Sequence, residues 1–211
     1  MMLVLKDRWR TRTARPYPYP WLSTAPGELF GQEAAAQLAA TFPDEGFVRR
    51  DEAHRREGKS YRNFSRPVVS GQGDEAENGF LTGLWADLVT DLRSPEYREW
   101  VAAALSQDPV DEVELRLVRH APGDWLGPHT DRDDKVFSHI LYFNPGWRAE
   151  WGGCVEILDG PQATSVTGRV VPELGASVLL AQAANSWHQV TAVSSAVTTG
   201  RKSLLVHGLR G

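Results

Sequence analysis

From residue 112 onward the chain repeats one pattern. Short runs alternate apolar and polar residues, each closed by a turn signal, with no helical periodicity between them. Eight runs read as strands: Glu112–His120, Trp125–Asp131, Phe137–Asn144, Cys154–Leu158, Ala163–Val171, Ala176–Gln182, Trp187–Val193 and Arg201–Gly208. "APGD", "NPGW", "WGG", "DGP", "ELG" and "TTG" mark the turns. Eight short strands without intervening helices predict a mainly β fold, a double-sheet jelly roll.

The first 111 residues read differently. "KDRWRTRTARPYPYPWL" is rich in Arg and Pro and lacks periodicity, which predicts extended or disordered chain. "GQEAAAQLAATF", Gly31 to Phe42, favours a helix that Pro43 stops. Leu81, Leu84, Trp85, Leu88 and Leu92 share one face of a second helix, and Pro95 opens a third at a permitted position. Arg49 to Pro67 carries seven Lys/Arg against three Asp/Glu and reads as a solvated loop, or as a lid meeting an anionic group. The expectation is one structural domain: an extension with support helices and a lid loop at 1–111, packed on a jelly-roll core at 112–211.

Composition excludes several classes. A net charge of −4 argues against nucleic-acid binding, which needs a basic surface. The single cysteine, Cys154, rules out an internal disulfide framework and a Cys-rich zinc site, and fits a reducing compartment. The apolar run Met2 to Leu5 is too short for a signal peptide, and no later stretch suits a membrane span. A cytoplasmic protein is expected, with no membrane partner.

Candidate chemistry centres on "GPHTDRDDKV". In a strand, His129 and Asp131 project to one side. Six His and thirteen Asp in 211 residues give about 0.4 chance matches to His-x-Asp, so the pair needs a third partner. His54, His120, His139, His188 and His207 are available; His139 faces the other side of its strand from Tyr142 and Asn144. Any lone strand histidine is more often a packed residue than a ligand. Two imidazoles and a carboxylate leave three coordination positions open, an arrangement suited to non-haem Fe(II), though zinc also accepts such ligands. A 2-oxo acid chelating that iron needs a buried cation for its far carboxylate, and arginine's planar fork suits it. Arg201 begins the last strand run, with Ser203 on the same face as a second donor.

"LRLVRHAPGDWLGPHTD", "LYFNPGWRAEWGGCVEIL" and "SWHQV…RKSLLV", in that order over residues 112–208, resemble the iron(II)- and 2-oxoglutarate-dependent oxygenases, specifically the prolyl-4-hydroxylase-like branch. The resemblance implies a double-stranded β-helix, a jelly roll, flanked by helices. It implies His129, Asp131 and His188 as iron ligands and Arg201 as the 2-oxoglutarate anchor. Tyr142 matches a family tyrosine that bonds the same carboxylate, and Asn144 is expected to line the pocket. Gly152 and Gly153 match turn glycines, and Trp147 and Trp151 are expected to pack. His120 stands where the family often has a tyrosine and is expected to take over its hydrogen bond. Arg116 shares the parity of His120, so it is expected to face inward and to need an anionic partner, such as a substrate carboxylate.

The implied reaction consumes Fe(II)-bound 2-oxoglutarate and molecular oxygen, releases succinate and carbon dioxide, and hydroxylates an unactivated C–H, with ascorbate as an optional reductant. Asp131 favours hydroxylation, because halogenating relatives lack this carboxylate. The expected substrate is an amino acid, a peptidyl residue or a small biosynthetic intermediate. Two other readings are a cupin-like metal barrel without oxygen chemistry, which gives Arg201 no role, and a non-catalytic binding module, which makes the triad dispensable.

Overall fold

The structure is a computed structural model that describes residues 4–5, 11–52, 59–70 and 81–210. Its order is β1 (Trp21–Thr24), α1 (Gln32–Ala40), β2 (Val48–Asp51), β3 (Tyr61–Val69), α2 (Leu84–Arg93), α3 (Pro95–Leu105), β4 (Glu112–His120), β5 (Trp125–His129), β6 (Lys135–Tyr142), β7 (Val155–Leu158), β8 (Val166–Val170), β9 (Ser177–Ala181), β10 (His188–Val190) and β11 (Arg201–Leu209). Every described strand pairing is antiparallel. The strands run β1-β9-β6-β11-β4-β3-β5-β10-β7-β8, with β2 added to β3. β3 turns the corner: Phe64 to Val69 pair with β4, while Tyr61 and Arg62 pair with β5. One sheet thereby folds over itself into the expected mainly β jelly roll.

Period-2 alternation divides the central strands between two cores. Leu115 and Leu117 of β4, Phe137 and Leu141 of β6, and Leu204 and Val206 of β11 pack outward against the helices. α2 contributes Trp85, Leu88 and Leu92, the face expected from its periodicity. Ser94 caps α3 by accepting from Tyr97 N (3.2 Å), with Pro95 in the first turn where no N–H is needed. Ile140, Tyr142, Val178, Leu180 and Val190 point into the barrel. His139 faces the helices, bonded to Tyr97 Oη (2.8 Å) and Ser177 Oγ (2.9 Å), so it is a core histidine.

Three strands were not expected. Trp21–Thr24 lies in the Arg/Pro-rich start, and its Trp21 and Leu22 are buried against β9. Val48–Asp51 and Tyr61–Val69 form an antiparallel pair within the stretch read as a loop. Their arginines lie over aromatic rings: Arg49 over Phe64 (4.8 Å) and Arg62 over Trp125 (5.1 Å). These two charges cover ring faces while staying in contact with solvent. Residues 53–58 of that stretch, including His54, lie outside the described residues. Gly152 and Gly153 do turn the chain, with φ of 67° and 66°, and a Cβ on Gly152 would stand 2.0 Å from Ala192 O. Trp147 and Trp151 pack edge to face, 5.7 Å apart. Among the described residues no helix is long and apolar enough to cross a membrane.

Candidate metal centre

His129 ends β5 and His188 begins β10, and the two residues are direct antiparallel partners. Their ring centroids are 4.2 Å apart. The sequence placed Asp131 at the end of the strand, but β5 stops at His129, and Asp131 sits in the loop that follows. Gln182 Nε2 donates to the Asp131 backbone carbonyl (2.7 Å) and holds that loop inward. The carboxylate stands 3.9 Å from His129 Nε2 and 4.0 Å from His188 Nε2. One ligand atom from each residue lies within 4.8 Å of the other two, the one group of metal-binding type found among the described residues.

Each imidazole is oriented from behind. His129 Nδ1 donates to Gly127 O (3.0 Å) and His188 Nδ1 to Ser186 O (2.9 Å). A carbonyl only accepts, so each Nδ1 carries the proton and each Nε2 lone pair faces Asp131. Burial pushes His129 well below the ordinary histidine range and lowers His188, which keeps both neutral at pH 7. Burial opposes ionisation of Asp131, but His188, once protonated in acid, and the Lys135 ammonium outweigh it and hold the carboxyl well below its usual range.

Sequence reasoning missed the residues that hold Asp131. Lys135 Nζ donates to Oδ1 (3.0 Å) and Ser138 Oγ to Oδ2 (2.5 Å). His207, weighed above as a third ligand, instead bridges these two: its Nδ1 donates to Ser138 Oγ (2.8 Å), and its Nε2 accepts from Lys135 Nζ (3.3 Å). Strand parity was the available signal. Ser138 shares the face of Ile140 and Tyr142, and His207 that of Arg201 and Ser203.

The same cavity, about 510 Å³, reaches Arg201 at its floor. Arg201 pairs in register with His120 across β11 and β4 and is 1% exposed. Its Nη1 donates to His120 Nδ1 (3.3 Å) and Ser203 Oγ (3.2 Å), and the guanidinium lies 5.0 Å over the Tyr142 ring. Arg201 Nε and Nη2, Tyr142 Oη and His120 Nε2 are buried with no hydrogen-bond partner. No carboxylate of the described residues pairs with this guanidinium. Four unsatisfied polar atoms at one place, one of them on each of Tyr142 and His120 and two on a cation, fit a bound carboxylate. Burial pushes His120 well below the usual range, with Arg201 adding to the shift, so its ring is neutral and accepts from the arginine.

Three expectations are corrected. Asn144 does not line the cavity. β6 ends at Tyr142, so strand parity no longer applies, and Asn144 bonds backbone only: Nδ2 donates to Pro172 O (2.7 Å) and Lys202 O (3.0 Å), and Oδ1 accepts from Lys202 N (2.6 Å). Ser203 donates to Val118 O (3.3 Å) and accepts from Arg201, so its hydroxyl positions the arginine. Arg116 reaches the cavity but is paired with Glu114 Oε1 (2.7 Å) and about one-third exposed, so its charge is compensated.

A jelly roll with an inward His-Asp-His cluster and a buried arginine lacking a carboxylate partner among the described residues could hold a metal ion and an anion. Residues 115–206, somewhat under half of the chain, match the model of the 2OG-Fe(II) oxygenase superfamily, so the barrel is similar to the oxygenases of that superfamily. The family implies Fe(II) and 2-oxoglutarate. No curated protein matches the sequence. Among solved structures, a prolyl-4-hydroxylase from Pseudomonas putida is 21% identical with a TM-score of 0.64, over 90% of this chain and 92% of that one. An oxidoreductase of the 2OG-Fe(II) oxygenase family from Burkholderia pseudomallei is 15% identical with a TM-score of 0.62, over 90% and 85%. A prolyl hydroxylase from Trichoplax adhaerens, solved with a hypoxia inducible factor peptide fragment, is 13% identical with a TM-score of 0.63, over 90% and 83%. At these identities the likeness is one of fold.

Proposed function

We propose that the protein is a dioxygenase that hydroxylates an unactivated C–H of an amino acid, a peptidyl residue or a small biosynthetic intermediate, converting 2-oxoglutarate and oxygen to succinate and carbon dioxide. His129, Asp131 and His188 would hold Fe(II), which with 2-oxoglutarate supplies the oxidising power. The chain's own part is positional. Gly127 O and Ser186 O fix the imidazole tautomers, while Lys135 and Ser138 fix the carboxylate. Arg201, Tyr142 and His120 receive the far carboxylate of the co-substrate, with Ser203 steadying the guanidinium. The barrel walls keep water from the reacting centre.

One observation carries this reading: the unpaired, buried Arg201 shares a cavity with the triad. A buried guanidinium without an anion costs several kcal/mol, and a carboxylate ligand offsets that cost. A cupin-like barrel or a binding module leaves it unexplained. Residues 1–111 serve in this proposal as support for a catalytic core at 112–211. A cytoplasmic setting, with ascorbate available as reductant, completes it; the one cysteine is buried and free.

The test is anaerobic. Wild-type protein with Fe(II) and 2-oxoglutarate is expected to show the weak visible charge-transfer band of the chelate, and Arg201→Ala to lose it at limiting 2-oxoglutarate. An absent band in the wild type would reject the oxygenase mechanism.

A further inference from the structure

The cavity has a second cationic region, distinct from the Arg201 floor. It opens at an exposed rim formed by Arg50 of β2 and Arg132 of the Asp131 loop, and it closes at buried Arg201. Five Lys/Arg side chains line it between rim and triad: Arg50, Lys59, Arg116, Arg132 and Lys135. Three have partners. Arg116 is bonded to Glu114, Arg132 to Asp134 (2.7 Å) and Lys135 to Asp131. Lys59 and Arg50 have no hydrogen-bond or ion-pair partner among the described residues. Glu114 and Asp131, the two carboxylates lining the cavity, are already paired with Arg116 and Lys135. Among the described residues, the cavity wall therefore presents two positive charges without a partner and no negative one without a partner.

Backbone geometry sets Lys59 in place. Gly127 N donates to Ser60 O (2.8 Å), which joins the residue after Lys59 to the strand that ends in His129. A Cβ at residue 127 would stand 2.7 Å from Ser60 Oγ. Glycine there allows the chain entering β3 to approach β5 closely, and Lys59 lines the same cavity as His129, Asp131 and His188. Lys59 is partly buried and close enough to Asp131 to feel its charge. The nearby Asp131 carboxylate is already bonded by Lys135 and Ser138, so the partly desolvated Lys59 ammonium is left to pair with an anion supplied by a ligand.

Resting on the oxygenase reading, we propose that Lys59, assisted by Arg50, binds a carboxylate of the substrate, and that the enzyme oxidises a carboxylate-bearing molecule in preference to a neutral or cationic one. The carboxylate belongs to a free acid or to a peptide's C-terminus or acidic side chain; the recognising chemistry is common to these. Electrostatic complementarity in a narrow, partly desolvated cavity selects by charge. A cationic substrate would meet like charge directly above the triad.

The test uses the full chain, anaerobic, with Fe(II) and 2-oxoglutarate. The chelate band is recorded first, so that failure of the oxygenase reading is seen separately as its absence. Lys59 acylation by an amine-selective reagent is then followed by mass spectrometry. The probes are N-acetyl amino acids, N-acetyl dipeptides and glutaryl or succinyl monoamides, each set against its neutral N-methylamide. At least one carboxylate is expected to slow Lys59 acylation tenfold or more while its amide has no effect. The free-acid and dipeptide arms distinguish the two sources. Lys59→Met is expected to retain the chelate band but lose calorimetric binding of the protecting carboxylate, and Arg50→Gln to weaken that binding several-fold. Protection by amides equal to that by acids would overturn the proposal, as would a panel in which no acid protects. Loss of the band in Lys59→Met would also overturn it, by assigning the lysine to the co-substrate.

Discussion

Arg201 and His120 are cross-strand partners whose side chains meet inside the barrel, Nη1 to Nδ1 at 3.3 Å, while His120 Nε2 and two of the guanidinium nitrogens remain unpaired. The pairing directs a fixed cation toward the triad from the opposite end of the cavity. Because the anion is missing from the chain itself, ligand-free protein bears the cost of this charge.

Arg201→Met should therefore separate stability from binding. Removing an uncompensated buried charge is expected to stabilise the ligand-free protein by roughly 1–3 kcal/mol, and so to raise Tm by several degrees. The same variant should lose the Tm increase that millimolar 2-oxoglutarate gives the metal-loaded wild type. Paired thermal melts check both. A lowered ligand-free Tm would mean that the arginine is a structural pillar.

Asn144→Ala predicts the opposite. Asn144 is buried and makes three hydrogen bonds, all to the backbone at Pro172 and Lys202. Truncation leaves buried backbone groups unsatisfied and is expected to cost about 2–4 kcal/mol. Urea unfolding should show that loss, while 2-oxoglutarate affinity of the folded fraction stays within about twofold. A tenfold loss of affinity would return Asn144 to the pocket.

Acid sensitivity follows from the core histidine. Burial lowers His139 to about 3, against an ordinary value near 6.5. Its folded pKa is depressed, so the unfolded chain binds the extra proton. Stability from neutral His139 is fully present above about pH 6.5 and falls as pH drops from there toward 3. Between pH 7 and pH 5 this residue alone should cost about 2 kcal/mol. His139→Asn, lacking the titrating ring, should lose correspondingly less over that interval, as measured by urea midpoints at the two pH values. Equal losses would refute the assignment.

Metal linkage tests the triad. Mn(II) in hundredfold excess over Kd should stabilise the wild type by about 2.7 kcal/mol. His188→Ala and Asp131→Ala should each remove most of that gain, whereas His207→Gln should weaken it only in part, because His207 acts on Asp131 through Ser138 and Lys135. Calorimetric titration of each apo variant supplies the affinities. Full retention in His188→Ala would place the metal elsewhere.

β4 and β11 were legible because one face packs against the helices while the other lines a polar cavity, which forces alternation; β9, buried on both faces, reads instead as a short apolar run closed by turn signals. β3 was not legible. Tyr61–Val69 contains Arg62, Asn63, Ser65, Arg66 and Pro67, and the register shifts between Pro67 and Val69. Its alternation is hidden by Arg62, which lies over the Trp125 ring, and Arg66, which donates to Glu45 O, an arrangement decided by tertiary packing. Strand parity brought Ser203, Arg201 and His120 to one face, and the structure has them together. Parity failed for Asn144 and gave the wrong local reason for Asp131, since both residues lie just beyond a strand end. Lys59 left no periodic trace at all, because a backbone contact to Gly127 positions it.

The most direct measurement is a crystal structure grown anaerobically with Mn(II) and 2-oxoglutarate, with anomalous scattering used to locate the ion. The account predicts a single strong peak bounded by His129 Nε2, the Asp131 carboxylate and His188 Nε2, with the distal carboxylate of 2-oxoglutarate against Arg201 and Tyr142. An ion bound away from these three side chains, or a 2-oxoglutarate whose distal carboxylate leaves Arg201 unpaired, would contradict it.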